Sequence, residues 1–333
     1  MATTSGTVAA TTVNVNTFIE HAFRRCGKMP STVSGEQLGA ARESLFFLLT
    51  DLVNDGINLW CVNRFVAPAR QGISQYALPL GTSDVLGANF RTYVTLAGTP
   101  LSGAGYLGEQ FAVAESPTNV QVAFTVASLP TLVVESSLDG ITWVQVAAFA
   151  VPQATVAAGQ PLAQDIDNSA PAAYWRVRDA AGTLPGGATA VFSNTPAEIP
   201  MSDYNRDDYF SLPNKTFQAN RSLQYRFEKT LNPYIIVWPV PNTAAAQFAF
   251  LLHHQPQDVG ALTGLLDVPQ RWYEYVLFAL ACKVALELPA AELPPGRLEY
   301  LEGKAVEHNR RASNNETDGS PTRLMPNLRG YTR

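Results

Sequence analysis

The stretch from Pro200 to Pro241 constrains the fold more than any other part of the chain. It is dense in Tyr, Arg, Asp, Asn and Pro, and it ends in Tyr234-Ile-Ile-Val-Trp238, closed by Pro239 and Pro241. Such a run between prolines predicts a strand. Leu223, Tyr225 and Phe227 alternate with polar residues and predict a second strand just before it. Helical patterns occupy both ends of the chain, so helices are expected to pack around these strands.

Size and charge narrow the partners. With 333 residues, 46% of them hydrophobic, the chain can bury a sizeable core. Charged residues make up only 15%, which suits a protein that hides surface in an assembly, and the net charge of -5 provides no basic footprint for tight nucleic-acid binding. An acidic protein can still surround DNA that must slide. The first residues lack the basic start and apolar centre of a signal peptide, and no apolar run reaches the roughly 18 residues of a membrane span. Cys26, Cys61 and Cys282 each lie in or beside an apolar pattern without a CxxC pair, which predicts buried free thiols and folding in a reducing cytoplasm.

A short helix is expected with Phe18, Ile19, Ala22, Phe23 and Cys26 on one side, stopped by Gly27 and Pro30. Ser34-Gly-Glu-Gln37 reads as a capping box opening a long helix to Trp60, with an apolar stripe from Leu38 to Leu52. Val62–Ala67 and Gly72–Leu78 have hairpin-like spacing, and Asp84–Phe90 reads as a further strand. Near the other end, Asp267-Val-Pro-Gln-Arg-Trp-Tyr-Glu274 opens a helix that is apolar nearly all round, from Trp272 to Val284, and so needs cover on every side. A more charged helix spans about Arg297 to Arg311, and residues 312–333 form a polar tail with anchors at Leu324, Met325, Leu328 and Tyr331.

Residues 92–196 differ in character, being rich in Ala, Val, Thr, Ser and Gly. Short β runs at 120–126, 131–136, 143–149 and 174–178 are separated by turn residues, which is the pattern of an all-β sandwich. Glu135-Ser-Ser-Leu-Asp-Gly-Ile-Thr-Trp143 carries an Asp-Gly hairpin turn, and Tyr174-Trp-Arg-Val-Arg178 follows it. Together they resemble the motif pair of discoidin-like jelly-roll modules. Trp143, Tyr174 and Trp175 could form a sugar-binding face; core packing is the favoured alternative.

Local motifs for catalysis or cofactors do not survive inspection. Gly103-Ala-Gly-Tyr-Leu-Gly108 matches GxGxxG, yet no clear helix follows to present amides to a pyrophosphate, so a flexible loop is expected. Asp203-Tyr-Asn-Arg-Asp207 opens like a calcium loop, but Asp208 stands where glycine is needed and Asn214 where the bidentate glutamate should be. His253 and His254 are adjacent on an expected strand and point to opposite faces. No metal, no cofactor and no catalytic residue is expected.

The outer parts of the chain have a recognisable order. The capped helix ending in Trp60 is followed by Tyr76-Ala-Leu-Pro79, Met201-Ser-Asp-Tyr204, Leu212-Pro-Asn-Lys215, Tyr225, Ile235-Ile-Val-Trp-Pro-Val-Pro241 and Asp267–Tyr273. This order resembles the head-to-tail adaptor (packaged-DNA stabilisation) family of short-tailed phages, over about residues 15–90 and 199–311. The resemblance implies a virion protein of the neck, assembled in the host cytoplasm. It implies a homo-oligomeric ring, commonly of twelve, below the portal protein. The ring would pass genomic DNA without sequence contacts and meet downstream nozzle or fibre proteins. Leu324, Met325, Leu328 and Tyr331 would then dock on the portal. Arg206, Lys215, Trp238, Arg271, Trp272 and Tyr273 would lie at subunit contacts, with free solvated charge the alternative for the three cations.

The expected fold class is therefore α+β: a mainly helical adaptor core (1–91 and 197–311) with a small antiparallel β region, an inserted β-sandwich (92–196) and an extended tail (312–333). The expected function is a non-enzymatic structural connector. The alternative is a tail-associated glycan-binding or peptidoglycan-degrading protein acting at host entry.

Overall fold

The computed structural model describes residues 13–54, 59–103, 105–125, 131–149, 161–167, 170–180, 182, 184, 187–256, 259–289, 292–314 and 316. The chain opens with helices α1 (Val15–Cys26) and α2 (Gly35–Asp51). Strands follow: β1 (Val62–Pro68), β2 (Gln75–Ala77), β3 (Thr82–Thr95), β4 (Thr99–Gly103), β5 (Tyr106–Glu115), β6 (Asn119–Ala123), β7 (Leu132–Ser137), β8 (Val144–Ala148), β9 (Pro161–Asp165), β10 (Ala172–Asp179) and β11 (Thr189–Pro200). Then come β12 (Ser202–Asp203), α3 (Arg206–Ser211), β13 (Gln218–Ala219), β14 (Gln224–Glu228), β15 (Tyr234–Trp238), β16 (Val240–Pro241) and β17 (Ala246–His254), before α4 (Tyr273–Glu287) and α5 (Arg297–Asn314). Strand accounts for 39% and helix for 28% of this, which overturns the expectation of a mainly helical core. An α+β mixture remains, weighted toward β.

The chain divides into two compact units, residues 1–61 with 255–333 and residues 62–254. The first is helical. Asn14 caps α1 by accepting from the Thr17 N–H at 2.8 Å, and Gly27 ends the helix at φ 95, a conformation open to glycine. The capping box of α2 forms in both directions, Gln37 N–H to Ser34 Oγ and Ser34 N–H to Gln37 Oε1, each at 3.2 Å. That helix stops at Asp51, short of the expected Trp60. There Asn54 donates from its backbone and its side chain to Asp51, a local alternative to further helix. The apolar α4 finds its cover within the chain: α1, α2 and α5 pack around it, and Tyr275, Val276, Leu277, Phe278, Leu280, Ala281, Val284 and Ala285 are buried.

Among the described residues, α3 is the α-helix of the second unit, and its other regular elements are strands. Strands β1-β17-β3-β11-β6-β9 close into a barrel, β4-β5-β10-β7-β8 form a five-stranded sheet, and β12-β14-β15-β2 form a four-stranded one. The expected hairpin of β1 with β2 does not form. β1 pairs with β17 and β9, and β2 pairs with β15, because distant partners cover their apolar residues: Tyr76 lies edge-on to Phe248 at 5.0 Å. One core joins Phe65, Phe90, Phe248 and Phe250 to Tyr76, Ile235 and Val237 of the four-stranded sheet. Another joins Val120, Leu162 and Phe192 to Phe111, Val134, Trp175 and Val177 of the five-stranded sheet.

The sandwich of residues 92–196 is thus built into its parent. β3 is 14 residues long and β11 12, and they run through both expected boundaries. β3 pairs with β17 along one edge, from Ala246↔Thr92 to His254↔Thr82, and with β11 along the other. Of the GxGxxG stretch, Gly103 ends β4 and Tyr106–Gly108 lie in its partner β5, with Leu101 opposite Gly108, so these residues are paired strand where a loop is expected. A Cβ on Gly108 would overlap the Trp175 carbonyl oxygen, so its glycine serves strand packing.

Candidate functional site

The segments of the β unit that carry the adaptor resemblance are scattered along the sequence and gathered in the fold. In the four-stranded sheet Tyr225 lies opposite Val237, Ile235 opposite Tyr76, and Ser202 beside Gln224. Leu212–Lys215 lies against the same sheet, since the Trp238 indole N–H donates to the Asn214 carbonyl at 3.1 Å and its ring is 6.2 Å from Phe217. The expected interface residues here have partners within the chain. Arg206 reaches Glu228 at 3.0 Å, and Glu228 also takes Arg226. Lys215 donates to the carbonyls of Phe210 and Leu212 at 3.1 and 3.2 Å, beside the Tyr209 and Phe210 rings.

Arg271, Trp272 and Tyr273 belong to the helical unit. Trp272 is buried, and Tyr273 meets Phe18 edge-on at 6.0 Å. Glu316, just beyond α5, ties this corner together. Its Oε1 accepts from Arg271 Nε at 2.8 Å and from the Trp272 indole at 2.9 Å, and its Oε2 accepts from the Leu59 backbone at 3.1 Å. Burial works against this carboxylate's charge, but the Trp272 and Arg271 bonds outweigh it and hold Glu316 below its ordinary 4.5. A depressed carboxylate stabilises the fold fully above its unfolded value and loses that contribution as pH falls through the folded one. Glu316→Gln should therefore cost about 1–3 kcal/mol at pH 7. The gap from wild type should narrow as pH falls from 4.5 through the lower folded value; urea unfolding at pH 7 and pH 3.5 measures the change, and a gap equal at both pH values contradicts the assignment. Leu324, Met325, Leu328 and Tyr331 lie outside the described residues.

The proposed sugar face splits. Tyr174 and Trp175 are consecutive on β10 and point to opposite sides of the sheet. Trp175 is 0% exposed, and its indole donates to the carbonyls of Ala172 and Glu115, which corrects its assignment to a binding face. Trp143 and Tyr174 are half-buried. Arg176 lies 3.9 Å over the Trp143 ring and 5.1 Å from that of Tyr106, while the Tyr174 hydroxyl accepts from Gln110. Glu135 receives both Arg176 and Arg178; burial opposes its charge, and the two guanidiniums together hold its pKa below the ordinary value. In the β7–β8 turn Asp139 accepts the N–H groups of Thr142 and Ile141 and the Ser137 hydroxyl, which lowers it to about 2 and rigidifies the loop carrying Trp143.

A buried polar cluster escaped the sequence reading altogether. On the face of β3 opposite Phe90, Arg91 donates to Gln247 at 3.0 Å, to both Asp165 oxygens at 3.1 and 2.5 Å, and to Glu198 at 3.2 Å. Asn119 donates to Asp165 and accepts from Gln247. Arg64 reaches Asp165 at 3.0 Å and also pairs with Glu198. Asn119 and Asp165 come from the sandwich, Arg91 and Glu198 from the strands that enter and leave it, and Arg64 and Gln247 from the parent strands β1 and β17, so the cluster clasps one to the other.

Burial raises the thiols of Cys26, Cys61 and Cys282 to about 11, 12 and 11, away from thiolate chemistry. His253 Nδ1 lies 2.8 Å from Ser83 Oγ, and burial lowers its pKa. Among the described residues no three His, Cys, Asp or Glu side chains converge on a metal position, and no helix there is long and apolar enough to cross a membrane.

No known protein family matches the chain, and no curated protein matches it. A solved structure that does is CBM32-1, from a family 31 glycoside hydrolase of Clostridium perfringens, 16% identical over 27% of this chain and 75% of that one. Its TM-score is 0.20, and a superposition of that quality carries no argument about fold or function.

Proposed function

We propose that this chain is a structural connector of a short-tailed phage virion, a non-enzymatic subunit of a ring that joins the portal to the tail around the DNA exit channel. The observation that carries the reading is that the resemblance-bearing segments of the β unit, from Tyr76 to Pro241, meet at one four-stranded sheet, with the sandwich inserted between strands of the same unit. Segments so far apart in sequence contact one another, which is expected if they persist as a structural set. Exposed apolar residues on the helical unit support it further. Phe47 is 59% and Leu286 70% exposed; Phe47 stands one turn on from Ser44, whose hydroxyl donates to Glu287, the residue after Leu286. Ring neighbours would cover such positions.

The test is the native mass of the purified chain, alone and mixed with the portal ring of its phage. Stoichiometric ring formation on the portal is the expected result; a chain that stays monomeric and ignores the portal overturns the reading. Because Ala312 is buried and Glu316 clasped, the informative truncation falls after residue 316 rather than at 311. It should weaken docking and leave the thermal midpoint unchanged.

A further inference from the structure

A cleft of about 550 Å³ opens along β8, between Leu138, Val144 and Val146 on one side and Pro171 and Ala172 on the other. A mostly apolar space of this size can hold a ligand. Its apolar wall is left open to solvent, with Leu138 76% and Val144 60% exposed. Val146 continues that wall inward and packs against the sandwich core. Two carboxylates, Asp139 and Asp167, line the cleft, and among the described residues no cation does. Asp139 is held ionised by its own turn, whose N–H groups and Ser137 hydroxyl occupy Oδ1. Asp167 is exposed and has no ion-pair or hydrogen-bond partner among the described residues. A second observation is independent of the charges. β8 is the last strand in the order β4-β5-β10-β7-β8, so among the described residues one edge of its backbone has no strand partner. Such an edge of N–H and C=O groups is a template for a further strand.

We propose that β8 and this cleft receive an extended segment of a partner protein, which adds a strand to the sheet and sets an apolar and a basic side chain, two residues apart, into the cleft. Strand addition supplies main-chain hydrogen bonds, and alternate side chains supply the choice of sequence. Side chains two apart share a face, so one can cover Leu138 and Val144 while the other meets Asp167, with the charge of Asp139 beside it. A lysine or arginine suits that second place because it brings an aliphatic stem as well as a charge. Anionic groups are repelled by the two carboxylates. A sugar would lack an aromatic platform, since no ring lines the cleft; Trp143 is stacked on Arg176, whose neighbours Trp175 and Val177 point the other way, into the core. A divalent cation would find too few ligands, with Asp139 Oδ1 already taken.

The probe is a library of short random peptides selected on the full chain, with the enriched peptides titrated calorimetrically into wild type and Asp167→Lys. Asp139 is left alone because its carboxylate holds its own turn. Thermal unfolding checks the variant, and Asp167→Asn takes its place if it unfolds early. The enriched peptides should carry a lysine or arginine two residues from an apolar side chain, and should bind the variant at least about tenfold more weakly than wild type. Methylating one alternate set of peptide nitrogens should abolish binding and methylating the other should spare it, because a strand pairs along one edge through every second residue. Failure to enrich any peptide overturns the proposal, as do enriched peptides without a basic residue or with undiminished affinity for the variant. Binding that tolerates both methylated sets overturns strand addition. A wild type that self-associates by native mass, while Asp167→Lys stays monomeric, would make a second copy the occupant and overturns the partner segment.

Discussion

Replacing Arg91 with alanine is expected to destabilise the β unit by about 3–5 kcal/mol, the cost of removing one partner from a buried ion pair. Arg91 is buried between its direct cross-strand neighbours Gln247 and Glu198, and its guanidinium spans both oxygens of Asp165. Without it Asp165 keeps Asn119 and the half-exposed Arg64, which cannot replace a bidentate partner in the interior. Gln247 loses a donor as well. Because the pair's attraction is offset by desolvation, replacing both partners with apolar residues should cost less than breaking the pair. Arg91→Met with Asp165→Leu is therefore expected to recover much of the loss. Urea unfolding of the two single variants and the double variant forms the cycle. A loss under about 1 kcal/mol for Arg91→Ala would show that the clasp does not hold the sandwich to its parent strands.

Trp175→Ala should cost a similar 3–5 kcal/mol through a cavity in the sandwich core. Its ring packs near Phe192, with centroids 6.2 Å apart, and its N–H closes two backbone carbonyls that would be left short of a donor. Trp143→Ala provides the contrast. It removes a half-buried ring stacked on Arg176 and should leave the thermal midpoint within a few degrees of wild type, about 2–4 °C per kcal/mol at this size. If Trp175 instead belonged to a binding face, its loss would spare the midpoint and remove ligand binding. Thermal unfolding of the two variants side by side separates these cases.

Patterns carried by neighbouring residues were legible in the chain itself. The apolar face of α1, the capping box at Ser34 and Gln37, and the strand from Tyr234 to Trp238 each follow from local spacing. The Asp139–Gly140 turn does too, because its hydrogen bonds close within a few residues.

Pairing and burial of polar groups were decided only in three dimensions. Spacing alone suggested that β1 and β2 form a hairpin, yet each gains more by covering apolar surface on a distant strand. Alternation put Tyr174 and Trp175 on opposite faces, but only the packed sandwich selected which face was core. Nothing local distinguishes Arg91, Asp165 or Glu316 from charges on the surface. Their partners lie 44 to 257 residues away, and a side chain's pairing depends on which groups the fold brings within hydrogen-bond reach. The sequence by itself thus determined the elements set by local spacing, such as α1, the start of α2, the strand from Tyr234 to Trp238 and the Asp139–Gly140 turn. The tertiary structure decided which strands pair, which charges are buried, and that β outweighs helix, because those outcomes depend on contacts between residues that local pattern cannot relate.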